Sequence, residues 1–344
     1  MKPSPIDDPE SLLDVEVPIP HATGRDLLVE VKAVSVNPVD VKVRATVGPD
    51  GNEYKILGWD AAGIVKQVGP EGALFKPGDE VYYAGSIARP GTNAEFHLVD
   101  ERIVGKKPQS LGFAHAAALP LTTITAWELL FDRFGVEPGK AKNRGRLLII
   151  GGAGGVGSIL IQLARKLTSL IVIATASRPE TQQWCLDLGA HHVIDHTKPF
   201  AEQLQAIGSP EVEYIASVAA TSAHYPGLVE VLAPQGHFGL IDDPVSLDAN
   251  PLKRKAASLH WEIMFTRSLF KTLDMIAQHR LLNEVSELVD AGVIRTTFAD
   301  ALGAINAANL KKAHALIESG RSRGKIVLEG FSFDTETKDL SAGS

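Results

Sequence analysis

The chain has 344 residues, 44% hydrophobic and 22% charged, the profile of a globular protein with enough material for about two domains. A net charge of −7 argues against a general binder of nucleic acid or anionic membrane, and a single cysteine, Cys185, excludes an intrachain disulfide framework and a four-cysteine zinc site. No apolar run reaches the roughly 18 residues of a spanning helix and the first residues are acidic rather than signal-like, so a cytoplasmic setting is expected, without nucleic acid or membrane as partner.

The first part of the chain carries β signals. Residues 27–35 (LLVEVKAVS) alternate, and 63–68, 80–83 and 94–99 are short strand candidates between turns at Gly51-Asn52, Pro77-Gly78-Asp79 and Pro90-Gly91. From about residue 146 the rhythm becomes strand, helix, strand. Residues 147–150 form a buried apolar run, a glycine loop follows, and 156–167 place Ile159, Leu160, Leu163, Ala164 and Leu167 at helical spacing. Strands are predicted at 170–174, 192–194, 214–218 and 237–241, with helices at 179–188 and 200–207 between them. Five strands alternating with helices imply a doubly wound parallel sheet. Beyond residue 250 the pattern predicts helices over 256–270, 273–288 and 305–318, a last strand over 325–329, and a polar, frayed tail after Phe331.

The chemistry starts at Gly151-Gly152-Ala153-Gly154-Gly155-Val156-Gly157. It contains G-x-G-x-x-G as Gly152, Gly154 and Gly157, directly after a buried strand and at the opening of an amphipathic helix, the context a dinucleotide site requires. The glycines allow close approach to a pyrophosphate, and the helix N-terminus offers it free N–H groups. An NAD site normally has a carboxylate about 20 residues on, at the end of the second strand, for the ribose 2′-hydroxyl. Here that place holds Ser177 and Arg178, with no carboxylate before Glu180. A hydroxyl beside a guanidinium suits a 2′-phosphate, so NADPH is the expected cofactor.

Several motifs then run nearly end to end: Asn37-Pro38-Val39-Asp40, residues 57–63 (LGWDAAG), 76–81 (KPGDEV), 121–127 (LTTITAW), the glycine loop and 324–328 (GKIVL). In this order they resemble the medium-chain dehydrogenase/reductases, closest to the zinc-type alcohol dehydrogenase-like and quinone oxidoreductase branch. The resemblance implies an irregular GroES-like β domain over 1–125, a Rossmann NADP-binding domain over 126–265, and C-terminal helices and a strand over 266–344 that return to the first domain. Members of that family often open with a short strand, and this chain is expected to begin just after it. The resemblance also implies a homodimer.

By the same resemblance Asn37 lies beside the nicotinamide and Tyr54 near the substrate mouth, where its phenol can serve a developing oxyanion. Thr125 and His196 become cofactor contacts, and Leu240 and Ile241 end the strand past which the nicotinamide ribose runs. By the same resemblance, zinc-dependent members supply a cysteine where Asn37 or its neighbours stand, a His-Glu pair in the segment where Trp59-Asp60 stand, and a later cysteine or acidic residue. This chain has no cysteine and no histidine at those places, and the histidines at 191, 192 and 196 lie away from them, so no catalytic zinc is expected. Without a Lewis acid, quinones and α,β-unsaturated carbonyls are the expected substrates, because conjugation spreads the charge left by hydride addition. The alternatives are a zinc-type alcohol dehydrogenase and a non-enzymatic NADPH-binding protein.

Overall fold

A computed structural model describes residues 5–46, 54–139 and 145–331. The strands are β1 (Asp26–Val36), β2 (Asp60–Val68), β3 (Glu80–Ala84), β4 (Phe96–Asp100), β5 (Val104–Lys106), β6 (Arg146–Ile150), β7 (Ile171–Thr175), β8 (His192–Ile194), β9 (Val212–Ser217), β10 (Leu232–Leu240), β11 (Ser258–Trp261), β12 (Phe298–Ala301) and β13 (Lys325–Glu329). The helices are α1 (Pro38–Thr46), α2 (Phe113–Ala117), α3 (Pro120–Trp127), α4 (Gly155–Leu167), α5 (Pro179–Asp187), α6 (Phe200–Ala206), α7 (Thr221–Val231), α8 (Asn250–Lys253), α9 (Thr266–Phe270), α10 (Ala277–Asp290) and α11 (Ala307–Glu318).

Two sheets organise these elements. The first runs β12-β13-β1-β2-β3-β5, with β4 also paired to β1. β1 is its hub, and its pairing with β2 shifts register twice, which bends the strand as an irregular barrel wall requires. The second sheet is wholly parallel in the order β11-β10-β9-β6-β7-β8. That is the 3-2-1-4-5-6 order of a Rossmann sheet, whose ligand crevice opens where the order reverses, between β6 and β9.

Burial explains why β6 reads as one continuous apolar run. Leu147 and Ile149 face the large core shared with Ile159, Leu160 and Leu163 of α4, while Leu148 and Ile150 face a second core with Leu204, Leu228 and Phe238. A parallel strand covered on both faces loses the alternation of a half-exposed one.

The C-terminal helices differ from the sequence expectation. The stretch 256–270, predicted as one helix, divides into β11, a turn and α9. β10 presents an open backbone edge, and the register His237–Ser258 through Leu240–Trp261 satisfies it; that demand outweighs the helical spacing of a few apolar residues. The helix expected over 273–288 is displaced to Ala277–Asp290, because Lys271 adopts a left-handed φ of 49° at the end of α9. Among the described residues no helix is long and apolar enough to cross a membrane.

Candidate active site

The glycine loop leaves β6 at Gly151, whose φ of +81° is the left-handed turn that favours glycine. Gly151 N donates to Thr175 Oγ1 (3.1 Å) and Gly152 N to the Thr175 carbonyl (3.2 Å), pinning the loop to β7. Gly154 precedes α4 as a cap residue without a side-chain cap, so the first N–H groups of the helix, from Gly155, Val156 and Gly157, are left for a ligand. A Cβ at 154 would meet only the Gly151 carbonyl, at 3.4 Å, so that side of the loop is open. A Cβ at 157 would stand 2.7 Å from Gly152 Cα, because here helix and loop backbones touch. Ala153 accepts a hydrogen bond from Gly324 N (2.9 Å), which ties the loop to the start of β13.

At the end of β7, Ser177 is half-buried and Arg178 donates through Nη2 to the Arg321 carbonyl (3.2 Å), with Nε 3.1 Å from Glu180. The register Thr175–Ile194 carries Ser177 and His196 to the same strand edge, where His196 packs edge-on against His224. A cavity of about 330 Å³ opens beside Arg178, lined also by Thr181, Asp300, Arg321, Ser322 and Arg323. Arg321 and Arg323 are candidates that sequence reasoning passed over; the run Arg321-Ser322-Arg323 just before GKIVL was the available signal. The histidines 191, 192 and 196 do not converge: His191 Nδ1 accepts from Val172 N (2.9 Å), and His192 pairs in the ladder with Ile173. Among the described residues no three His, Cys, Asp or Glu side chains are grouped to hold a metal ion.

Across the crevice Asn37 is fully buried. Its Nδ2 donates to Asp60 Oδ2 (2.8 Å) and the Ser35 carbonyl (3.2 Å), and its Oδ1 accepts from Lys325 Nζ. The amide is thus committed within the chain, so Asn37 meets the cleft through Lys325 and Asp60. Lys325 Nζ also reaches Asp60 Oδ2 (3.1 Å) and the Val36 carbonyl (3.0 Å). Asp60 Oδ1 accepts from Leu121 N (2.7 Å) in the first turn of α3. Asp40 closes a capping box: its Oδ2 accepts from Asn37 N (2.7 Å), three residues back, and Pro38 takes the first helical position. Burial pushes the Asp40 carboxyl up to about 7 and raises that of Asp60 as well.

Thr125 lies within α3, as its sixth residue, and its hydroxyl donates back to the Leu121 carbonyl (2.8 Å). Tyr54 is 59% exposed and its hydroxyl has no partner among the described residues. Leu240 is buried at the end of β10, and Ile241 is half-buried beyond it. Trp59 is fully buried, donates to the Ser86 carbonyl (3.2 Å) and meets the edge of Phe265 at 6.0 Å.

The segment carrying Phe265 is held by a second buried cluster. Glu128, in the π-helical turn that extends α3, and Glu262, just after β11, are both buried, with their carboxyls facing each other. Burial, reinforced by the neighbouring Glu128 carboxylate, pushes the Glu262 carboxyl up, while Arg133 opposes that rise. Arg267 pairs with Glu128 (2.6 Å) and Arg133 with Glu262 (2.8 Å). This cluster had no local motif to announce it, since its two halves, Glu128 with Arg133 and Glu262 with Arg267, stand more than a hundred positions apart.

Comparison with known proteins agrees with this geometry. Residues 23–113 match the family model of the alcohol dehydrogenase GroES-like domain, and 188–328 that of the zinc-binding dehydrogenases. A zinc-type alcohol dehydrogenase-like protein of Staphylococcus epidermidis is 39% identical over 312 residues, covering 90% of this chain and 92% of that one. The chain belongs to the medium-chain dehydrogenase/reductase superfamily. A Rhizobium etli structure, provisionally named a zinc-dependent alcohol dehydrogenase, superposes with a TM-score of 0.93 at 60% identity, covering 96% and 97% of the two chains. A quinone oxidoreductase of Pseudomonas syringae superposes with a TM-score of 0.77 at 25% identity, covering 92% and 94%. As a medium-chain dehydrogenase/reductase the protein is an oxidoreductase, of a family whose members use a nicotinamide cofactor.

Proposed function

We propose that the protein is a zinc-independent, NADPH-dependent reductase of quinones or α,β-unsaturated carbonyls, working as a homodimer in the cytoplasm. The observation that carries this reading is the donor chemistry of the cleft floor. Where zinc-dependent relatives supply thiolate and imidazole, this chain has the amide of Asn37 and the indole of Trp59, the latter already bonded to Ser86. The remaining carboxylate, Asp60, is engaged by an ammonium, Lys325. A divalent cation placed there would face that ammonium and lack the three ligands a catalytic zinc site needs. The residues do not fit zinc.

They do fit a dinucleotide, which when bound supplies the hydride. The open face at Gly154 and the uncapped first turn of α4 would receive its pyrophosphate. Ser177, Arg178 and Arg321 would favour a 2′-phosphate, with Glu180 partly neutralising Arg178. Hydride addition to a carbonyl without a Lewis acid leaves a localised alkoxide, whereas a conjugated acceptor spreads that charge over several atoms. A quinone is such an acceptor, and the Pseudomonas syringae relative carries that name. By family resemblance Tyr54, whose side chain is exposed, would donate a hydrogen bond or proton to the developing oxyanion. For the homodimer, β11 is an edge strand with Trp261 53% exposed and Ile263 and Phe270 open beyond it, a row a second copy would cover. The lone buried Cys185 suits a reducing compartment.

The test is cofactor oxidation by chelator-treated protein over a panel of quinones, enones, aldehydes and simple ketones, with NADPH and NADH in parallel. Turnover of quinones or enones that survives chelation and prefers NADPH is the expected result. Activity confined to aldehydes or ketones and lost with the metal would overturn the reading. Tight NADPH binding without any turnover would leave a cofactor-binding protein in its place.

A further inference from the structure

Lys325 is 3% exposed, an unusual place for an ammonium. All three of its N–H donors are used, by the Val36 carbonyl, Asn37 Oδ1 and Asp60 Oδ2. Asp60 is also anchored by Leu121 N at the head of α3. One head group therefore fastens the β1–α1 turn, β2 and, through Asp60, α3. The stem of the same side chain lies on the glycine loop: a Cβ at Gly155 would come within 2.9 Å of Lys325 Cδ and 3.0 Å of Thr122 Cγ2. The preceding residue, Gly324, is bonded to Ala153 of that loop. Lys325 is thus packed against the phosphate loop along its length and against the cleft floor at its tip.

A buried ion pair is weak evidence for stability, because desolvation offsets much of its attraction; geometric specificity is the better explanation for keeping one. We propose that Lys325 is a positioning residue that holds the glycine loop and the Asn37–Asp60 floor in one register, and so fixes where the nicotinamide ring lies over that floor. A direct contact with substrate is excluded by the three acceptors already on Nζ. The inference rests on the nicotinamide-dependent chemistry proposed above, but its decisive measurement does not need turnover.

NADPH is titrated into the wild type, Lys325→Met and the double variant Lys325→Met/Asp60→Asn, which removes both charges of the pair together. Tryptophan quenching gives the dissociation constant, and the emission maximum and anisotropy of the bound reduced nicotinamide report how firmly the ring is held. With any acceptor the wild type reduces, kcat and the isotope effect from 4-deuterated NADPH follow. Both variants are expected to bind NADPH within about fivefold of wild type yet lose the nicotinamide emission shift, while kcat falls roughly 100-fold with a fully expressed hydride isotope effect, the scale of a misplacement near 1 Å. If the folded double variant keeps wild-type emission and kcat, the proposal is wrong. A dissociation constant raised 100-fold with emission unchanged at saturation would make Lys325 a phosphate ligand instead. Absence of turnover by the wild type would reject the reductase reading alone, since the emission measurement still decides this one.

Discussion

Two glycines of one loop should respond oppositely to the same added methyl group. At Gly154 the backbone is extended (φ −73°), and a Cβ would meet nothing closer than the Gly151 carbonyl at 3.4 Å, an ordinary contact. Gly154→Ala should therefore fold with stability within about 1 kcal/mol of wild type, the balance of lost cap preference against reduced unfolded-state entropy. Its methyl group would nevertheless occupy the space over the uncapped N–H groups. Losing one or two charge-assisted hydrogen bonds there, each about 1.5–3 kcal/mol, should raise the NADPH dissociation constant at least 10-fold. At Gly157 the new atom would stand 2.7 Å from Gly152 Cα and closer still to the Gly151 carbonyl, backbone that no rotamer change can move aside. Gly157→Ala should cost about 1–3 kcal/mol of folding stability, as overpacking does, and weaken binding as a consequence. Denaturant unfolding and fluorescence titration on both proteins separate the cases. The reasoning is refuted if Gly154→Ala binds NADPH like the wild type, or if Gly157→Ala is as stable as the wild type.

Other perturbations test other parts of the structure. Arg321→Ala should weaken NADPH about 10-fold and leave NADH unchanged, as expected for one lost guanidinium–phosphate contact; equal weakening of both cofactors would remove Arg321 from the 2′-phosphate site. Asp40 holds its proton up to about pH 7 in the folded protein but only to about 3.8 when unfolded, so folding loses stability as pH rises between those values. Asp40→Asn abolishes that loss: its stability relative to wild type should rise from pH 5 to pH 8 by at most about 3 kcal/mol, and a pH-independent difference in chemical denaturation would show that Asp40 is already ionised. Trp261→Glu should convert the proposed dimer to monomer in sedimentation or light scattering; a wild type that is itself monomeric, or an unchanged dimer mass in the variant, would count against an interface at β11.

Local pattern was enough for much of the molecule. The apolar run of β6, the glycines after it and the stripe of α4 lie within 21 consecutive residues, so the fold class and the strand–glycine loop–helix unit could be read from spacing alone. The absence of thiolate and imidazole at 37 and 59 was equally legible, because absence needs no geometry. The surroundings of Asn37 were not legible, since Lys325 lies 288 residues away and is brought to it only by β13 joining β1. Arg321 reaches Arg178 across 143 residues in the same way. Ser258–Trp261 shows the opposite limit: its own spacing favours a helix, and the open edge of β10 makes it a strand. Hydrophobic period and turn chemistry act over a few residues and are written in the sequence, whereas the partner of a buried charge and the edge that claims a short segment are set by the sheet, once distant strands have found each other.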